Sequence, residues 1–207
     1  MTASTLSKRQ VAKREQIATA GRRLFLAQGF AGTSMDAVTA EAGVSKQTLY
    51  TYFPTKVDLL KEILTRELTG IQADASAMPT LGSVADLRDV LLQFAHRFTG
   101  SLFHPDTIAV IRLVMGEAFR IPEVRETVRD AVPVRALLGV AAIVGRADEL
   151  GLISAPDADL AARMLLGPIM TYVAIDGFLQ TEGLNPPTAA KLERIVDYFL
   201  GMVAVTP

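Results

Sequence analysis

Cysteine is absent from the 207-residue sequence, which excludes disulfide bonds, thiolate metal sites and a cysteine nucleophile. Tryptophan is absent too, and an aromatic content of 6% does not indicate an aromatic cage for a cationic ligand. The longest uncharged apolar run, Met164 to Ile175, is shorter than the roughly 20 residues of a membrane helix. The N-terminal segment lacks the apolar stretch of a signal peptide. We therefore expect a cytoplasmic protein with no membrane association.

The usual signatures of catalysis and of cofactor binding are also missing. The sequence has two histidines, no glycine-rich phosphate loop, no His-Glu-x-x-His pattern and no nucleophile elbow. We therefore expect neither an enzyme nor a protein with a metal or another cofactor. A helical adaptor that binds other proteins, without binding DNA, stays open as an alternative function.

Charge is divided unevenly along the chain. Residues 1–56 carry eight lysines and arginines against three acidic residues, whereas the net charge of the whole chain is −1. The N-terminal part is therefore basic and the remainder acidic. This asymmetry suggests that the N-terminal part meets a polyanion, although a solvated surface with local charge fluctuation would look similar.

Apolar residues recur at helical spacing through almost the whole sequence, which predicts an all-α fold of about nine helices. Capping residues, glycines and prolines place the first four at about Ser7–Gln28, Thr33 or Ser34 to Gly43, Ser45–Phe53 and Thr55–Ala75. After a break at residues 78–83, five more are predicted at Val84–Leu102, Pro105–Arg120, Pro122–Leu150 with a bend near Pro133, Asp157–Leu179 and Thr188–Val203. Two domains are expected, 1–56 and 57–207.

The third predicted helix lies within the stretch GVSKQTLYTYFPTK, residues 43–56. At about 100° per residue, Leu49 and Phe53 share one side and must face the core, while Gln47 and Thr51 point to the opposite side. Thr48 lies beside this outer stripe, and the two tyrosines, Tyr50 and Tyr52, lie on its flanks. A helix fits the DNA major groove, where amides and hydroxyls meet base edges. Two short helices joined by a turn at Gly43 predict a helix-turn-helix.

Residues 10–58 closely resemble the DNA-binding domain of the TetR (tetracycline-repressor) family of bacterial regulators. The resemblance lies in the stretch IATAGRRLFLAQGFAGTSMDAVTAEAGVSKQTLYTYFPTKVDLL. It implies an all-helical homodimer with a three-helix DNA-binding head and a body that receives a ligand and dimerises. The implied function is transcriptional regulation, usually repression relieved by a small molecule, with activation left open. The expected partner is double-stranded DNA with a pseudo-palindromic operator.

The same resemblance assigns DNA contacts. Base edges would be reached by Lys46, Gln47 and Thr48, and phosphates by Thr33, Ser34, Tyr50, Tyr52 and Lys56. Ser45 and Thr51 complete the predicted DNA-binding set, and Lys8 with Arg9 could reach a neighbouring minor groove. Alternatives stay open: Tyr52 could pack half-buried on the first helix, and Lys56 could be a solvated lysine of the first helical turn.

In the body, the stretch GEAFRIPEV resembles the AefR-type subgroup of the family. By resemblance the pocket for an unidentified small molecule lies in this body, and apolar residues with a few polar groups are typical of such pockets. The candidate ligand-binding residues are Phe94, Phe98, Phe103, Arg112, Met115, Phe119, Met170 and Tyr172. Filling of the core is the alternative role for each aromatic residue.

The last two helices are the candidates for dimerisation. The resemblance implies that they form a four-helix interface in the homodimer, an arrangement that requires the same surface from both subunits. The candidate interface residues are Leu165, Ile169, Val173, Leu192, Ile195, Val196 and Phe199. Burial of these side chains within a single subunit is the alternative.

Overall fold

The computed structural model describes residues 7–69, 80–130 and 134–205. Secondary structure in these ranges is entirely helical, so the predicted all-α fold is confirmed, with ten α-helices where about nine were expected. In chain order these are α1 (Lys8–Gly32), α2 (Met35–Ala42), α3 (Lys46–Tyr52), α4 (Lys56–Thr69), α5 (Val84–Leu102), α6 (Pro105–Ala118), α7 (Pro122–Arg129), α8 (Arg135–Glu149), α9 (Ala158–Tyr172) and α10 (Ala189–Met202).

The helices belong to two compact units. One unit comprises Met1–Glu67 and Ala109–Val128, and the other comprises Leu68–Ile108 and Arg129–Pro207. The predicted domain boundary after residue 56 stays a prediction. The end expected for the fourth helix near Ala75, and the first two residues of the break at 78–83, lie outside the described residues.

Serine caps and glycine turns set the limits of the first three helices. Ser7 begins α1 in a capping box, in which its hydroxyl accepts from the Gln10 amide while the Gln10 side chain accepts from the Ser7 amide. The helical backbone is interrupted at Gly29, where φ is 75°, and one further turn follows. The first helix was predicted to end just before Gly29. In the structure this glycine interrupts the helix, and α1 ends at Gly32. Phe30 packs on Phe25 with ring centres 5.4 Å apart.

The turn between α2 and α3 depends on one glycine in the left-handed region. Gly43 has a φ of 60°, and its amide donates to the carbonyls of Thr39 and Ala40 at the end of α2. This conformation is unfavourable for other residues, which explains glycine at this position. Ser34 and Ser45 then cap α2 and α3, so the two short helices start and stop where the sequence predicts.

The core of the first unit is apolar and closely packed. Ile17, Phe25, Val38, Leu49 and Leu59 are all fully buried, and each such side chain contributes about 1.5–3 kcal/mol through removal from water. Helices α1 and α4 approach each other closely at Gly21 and Leu59. A Cβ atom on residue 21 would lie 2.7 Å from Leu59 Cδ2, so any larger residue would force the buried Leu59 side chain to shift.

In the second unit, α9 packs against α8 and α10, and α10 also packs against α5. Arg88 of α5 donates to both carboxylate oxygens of Asp197 on α10, at 2.6 and 3.1 Å. Within the helix predicted over Pro122–Leu150, the described residues form α7 and α8, and the backbone is also helical at Asp130 and Val134. Pro133, where the bend was expected, lies outside the described residues.

The helix predicted over Asp157–Leu179 also has two parts. The α-helical part, α9, contains Pro168 and ends at Tyr172, and a π-helical turn continues from Val173 to Phe178. A proline inside a helix leaves one carbonyl without its usual amide donor. In the part of the chain that the structure describes, Ala158–Phe178 is the one segment that could cross a membrane by length and composition. It packs against α8 and α10 as a core helix, with one exposed side.

Candidate nucleic-acid interface

Helix α3 has one buried and one exposed side. Leu49 is fully buried and the following Phe53 is 1% exposed, whereas Gln47, Tyr50 and Thr51 are exposed. Burial of the leucine and the phenylalanine fixes the rotation of the helix about its axis. A short helix held in this way presents an amide and hydroxyl groups to solvent, the groups that meet base edges in the major groove.

Several hydroxyl groups near α3 already make local hydrogen bonds. Ser45 Oγ lies 2.8 Å from Thr48 Oγ1 and accepts from the Thr48 amide at 3.2 Å. Thr51 Oγ1 donates to the Gln47 carbonyl at 2.7 Å. At the start of α2, Ser34 Oγ accepts from the Ala37 amide at 3.1 Å. These bonds order the ends of the helices, while Gln47 makes no such side-chain bond among those the structure describes.

An ion pair links the starts of α2 and α3. Lys46 Nζ lies 2.8 Å from Asp36 Oδ2, and both side chains are exposed. The hydrogen bond to Asp36 and the charge of its carboxylate raise the pKa of Lys46. Asp36 was not among the predicted site residues. Its position ten residues before a lysine gives no sequence signal, because only the turn at Gly43 brings the two together.

Thr33 and Lys56, both predicted to contact phosphate, face other partners in the structure. Thr33 is 2% exposed, and its hydroxyl donates to the Gly29 carbonyl at 2.8 Å. Lys56 Nζ donates to the carbonyls of Phe30 and Thr33, at 2.7 and 2.8 Å, and lies 4.4 Å from the centre of the Phe30 ring. The ammonium group of Lys56 therefore donates to carbonyls at the end of α1. The sequence had predicted that it would meet a phosphate or, in the alternative, solvent.

The two tyrosines differ in exposure. Tyr50 is 46% exposed, and Tyr52 is half-buried. Behind α3, Arg14 of α1 stacks 5.0 Å from the centre of the Phe53 ring and forms an ion pair with Glu62 of α4 at 2.7 Å. These contacts connect α1, α4 and the end of α3 within the first unit.

The second unit contains a cavity of about 260 Å³. Its wall is largely apolar and comes from α5, α8 and α9: Phe98, Ala136, Leu137, Arg163, Leu166, Gly167 and Met170. Arg163 is the charged member of this wall and donates to both carboxylate oxygens of Asp159, at 2.8 and 3.3 Å. The volume lies just below the range of about 300–1,000 Å³ for typical ligand pockets, so it suits only a small organic molecule.

Comparison with known families decides the classification. The family model described as bacterial regulatory proteins of the tetR family matches residues 17–63. The model described as the C-terminal domain of AefR-like transcriptional repressors matches residues 89–205, more than half of the chain. The chain belongs to the TetR family. It is therefore a DNA-binding transcriptional regulator, and the prediction that it is not an enzyme is confirmed by this membership.

Individual TetR relatives extend over different parts of the chain. The HTH-type transcriptional regulator LmrA of Bacillus subtilis (strain 168) is 31% identical over 90 residues, which cover 40% of this chain and 47% of LmrA. The chain thus matches about half the length of this curated relative. A TetR-family regulator from Mesorhizobium loti MAFF303099 superposes with a TM-score of 0.79 at 25% identity, covering 96% of this chain and 100% of that one. The flavonoid-responsive regulator FrrA superposes at 0.77 with 28% identity, covering 95% and 100%.

Most of the predicted TetR ligand-pocket residues lie outside the cavity wall; only Phe98 and Met170 belong to it. Phe94 and Phe103 are buried in the core, Phe119 is 80% exposed, Arg112 is exposed, and Met115 and Tyr172 are half-buried. Phe94 stacks on Phe98 at 5.3 Å, and Lys191 lies over the Tyr172 ring at 5.2 Å. The rest of the wall, Ala136, Leu137, Arg163, Leu166 and Gly167, was not predicted. Small and aliphatic residues give no sequence signal of a cavity, and a lone arginine on a helix is usually a surface residue.

The predicted TetR dimer residues are also mostly internal. Ile195 is half-buried, and the other six are at most 2% exposed within one subunit: Leu165, Ile169, Val173, Leu192, Val196 and Phe199. They form the subunit's own core, the alternative considered for them. The exposed apolar residues of the same region are a different set: Leu160, Met164, Ile175, Leu179, Tyr198 and Met202.

Proposed function

We propose that this TetR-family regulator is a homodimeric repressor that binds a pseudo-palindromic operator through α3 and leaves it when a small molecule occupies the second unit. The observation that carries the proposal is the orientation of α3. Because Leu49 and Phe53 are buried, the helix can only present Gln47 and its neighbours outward. Exposed amide and ammonium groups on a helix of this motif are suited to base edges in the major groove.

The contacts within the operator divide into two kinds. Gln47 can pair with an adenine edge, and Lys46 can reach acceptors on guanine once it leaves Asp36. Thr48 remains a base-contact candidate through its methyl group, since its hydroxyl is bonded to Ser45. Tyr50, Tyr52 and Ser34 would hold phosphates, and such contacts position the protein without reading sequence. The basic character of residues 1–56 supports attraction to the duplex.

The occupant of the exposed apolar surface is, in this proposal, a second copy of the chain. We define the dimer face as Leu160, Met164, Ile175, Leu179, Tyr198 and Met202. Leu160 and Met164 lie one turn apart on α9, Tyr198 and Met202 lie one turn apart on α10, and the two helices pack together. Six exposed apolar side chains on two packed helices and the π-helical turn beside them support an interface. A two-fold dimer would place two copies of α3 on two operator half-sites.

The proposed effector is a small, largely apolar molecule in the cavity between α5, α8 and α9. FrrA, a structural relative over nearly the whole chain, is described as flavonoid-responsive, which makes planar polyphenols the first class to test. A ligand can release the operator only if it binds the DNA-free state more tightly than the bound state. The proposal places the protein in the cytoplasm, with access to chromosomal operators.

DNA binding is tested by selection from random duplexes, followed by titration of the selected site in fluorescence anisotropy at several salt concentrations. The proposal predicts enrichment of an inverted repeat. It also predicts that the logarithm of the association constant falls by about 0.9 per tenfold increase in salt for each phosphate that the protein neutralises. Absence of any enriched sequence would contradict the proposal.

The effector site is tested by filling the cavity. Ala136→Phe adds an aromatic ring to the cavity wall, and Ala142→Phe adds the same ring at an exposed position of the same helix. A panel of flavonoids should release the selected duplex from the wild-type protein and from Ala142→Phe. Ala136→Phe should keep the duplex bound at the same flavonoid concentration. Equal release from both variants would place the effector elsewhere.

A further inference from the structure

The ion pair between Asp36 and Lys46 joins the two helices of the helix-turn-helix. Asp36 is the second residue of α2, and Lys46 is the first residue of α3. The two charged atoms are 2.8 Å apart, with side chains 62% and 65% exposed. An ion pair this open to water contributes little to folding, so stability alone does not account for its position.

Asp36 places a carboxylate on the surface that the proposed function turns toward DNA. Residues 1–56 hold eight basic side chains and three acidic ones, and the other two acids lie elsewhere in α1 and α2. A carboxylate close to phosphates weakens binding to every duplex, because like charges repel at this range. The Asp36 carboxylate also binds the ammonium group of Lys46, which the proposed function assigns to a base edge. Asp36 therefore affects matched and mismatched DNA through the same lysine.

We infer that Asp36 is a specificity-determining residue, an inference that rests on the proposed function. On DNA of the wrong sequence, Lys46 stays with Asp36, and the pair adds no net positive charge to the interface. On the operator, an acceptor such as guanine O6 or N7 draws Lys46 away and compensates the lost ion pair. Because Lys46 leaves Asp36 only on the operator, operator binding bears the cost of breaking the ion pair and of leaving the carboxylate unpaired beside phosphates. The carboxylate thus penalises operator binding more than non-specific binding and limits the discrimination between them.

A matched pair of variants tests the inference. Asp36→Asn and Glu41→Gln each remove one negative charge from the α2 region. Glu41 forms an exposed ion pair with Arg23 of α1, away from the start of α3. Affinities for the selected operator and for a scrambled duplex of equal length are measured over a range of salt concentrations. Thermal unfolding of each variant confirms that the fold is retained.

Asp36→Asn should strengthen binding to the operator by about fivefold, the upper range for one exposed ion pair that no longer has to be broken, and binding to the scrambled duplex by clearly less. The salt dependence on the scrambled duplex should steepen by about 0.9, because Lys46 becomes free to neutralise a phosphate. Glu41→Gln should leave the ratio of the two affinities unchanged. In a Lys46→Met background, Asp36→Asn should no longer raise the ratio of operator affinity to scrambled-duplex affinity.

Two results overturn the inference while leaving the proposed function intact. One is an equal change of the affinity ratio in Asp36→Asn and Glu41→Gln, which would reduce the effect to net charge. The other is an unchanged ratio in Asp36→Asn, in a protein whose wild-type form prefers its operator. A wild-type protein without any preference among duplexes overturns the proposed function and this inference together.

Discussion

The ammonium nitrogen of Lys56 lies 2.7 Å from the backbone oxygen of Phe30 and 4.4 Å from the centre of its ring. A second hydrogen bond runs to the carbonyl of Thr33, immediately before the α2 cap. A lysine in the first turn of a helix is unfavourable to the helix dipole, and here the carbonyls at the end of α1 compensate that cost. Lys56 thereby fixes the start of α2 relative to α4.

Replacement of Lys56 should therefore lower the stability of the fold more than it weakens binding to phosphates. We expect Lys56→Met to lower the free energy of unfolding by about 1.5–3 kcal/mol, the usual contribution of hydrogen bonds to a charged group. Lys46→Met, at an exposed lysine, should change it by less than about 1 kcal/mol. Urea unfolding of both variants measures the difference. A fully stable Lys56→Met with a shallower salt dependence on DNA would show instead that Lys56 contacts phosphate.

Glu62 connects α1 and α4 and should make the protein sensitive to acid. Its carboxylate accepts from Arg14 and from Arg66, both at 2.7 Å, and these bonds lower the pKa of Glu62 below its ordinary value of 4.5. A lowered pKa stabilises the fold above about pH 4.5, and that stabilisation is lost as the pH falls through the folded-state value. Glu62→Gln should unfold at a lower temperature than wild type at pH 7.

The pH series supplies the control for Glu62. The difference in melting temperature between wild type and Glu62→Gln should shrink steadily below pH 4.5, because protonation removes the same charge from the wild-type protein. Glu15→Gln, at an exposed position of α1, should match wild type throughout. A difference for Glu62→Gln that stays constant down to pH 3 would rule out the ionised carboxylate as its cause.

Gly21 permits the close approach of α1 to α4. Gly21→Ala would place a Cβ atom 2.7 Å from Leu59 Cδ2 and 3.1 Å from Leu59 Cγ, in a side chain that is fully buried. We expect a loss of about 1–3 kcal/mol in unfolding free energy, as for other overpacked cores. Gly139→Ala on α8, where the new atom meets nothing within 4 Å, should stabilise by up to about 1 kcal/mol. Denaturant unfolding compares them, and equal stability of the two variants would contradict this packing.

The dimer face can be separated from the core by charge substitutions. Tyr198 is 72% exposed, so Tyr198→Arg leaves the subunit core intact while it introduces a charge into the proposed apolar dimer face. The dimer dissociation constant should rise at least about thirtyfold, which corresponds to a hot-spot loss of about 2 kcal/mol. Val11→Arg, at an exposed apolar residue of α1, is the matched control. Sedimentation equilibrium measures both, and an unchanged dimer in Tyr198→Arg would place the interface elsewhere.

Local sequence signals predicted the helix-turn-helix well. Ser7, Ser34 and Ser45 cap their helices, and Gly43 takes the left-handed conformation that the turn requires. These features depend on interactions over three or four residues, which a sequence displays directly. The inward position of Leu49 follows from helical periodicity in the same way. Helix boundaries in the body were likewise close, with Val84–Leu102 predicted to the residue.

Features that depend on distant parts of the chain could not be predicted. Lys56 bonds to carbonyls 23 and 26 residues away, and no pattern in the sequence marks that contact. Apolar residues of α9 and α10 were identified, but periodicity does not distinguish Leu165, which is covered by its own subunit, from Met164, which is exposed. The cavity wall escaped prediction for a similar reason, since an empty space is produced by packing between helices.

The most direct test of the DNA-binding assignment is a comparison of sequence preference between wild type and Gln47→Ala. Both proteins are used to select duplexes from the same random pool, and their affinities are measured for every single-base change in the wild-type site. We predict an inverted repeat for wild type and, in Gln47→Ala, a loss of about 1–3 kcal/mol of discrimination at one position of each half-site. An identical preference profile for both proteins would contradict the placement of α3 in the major groove.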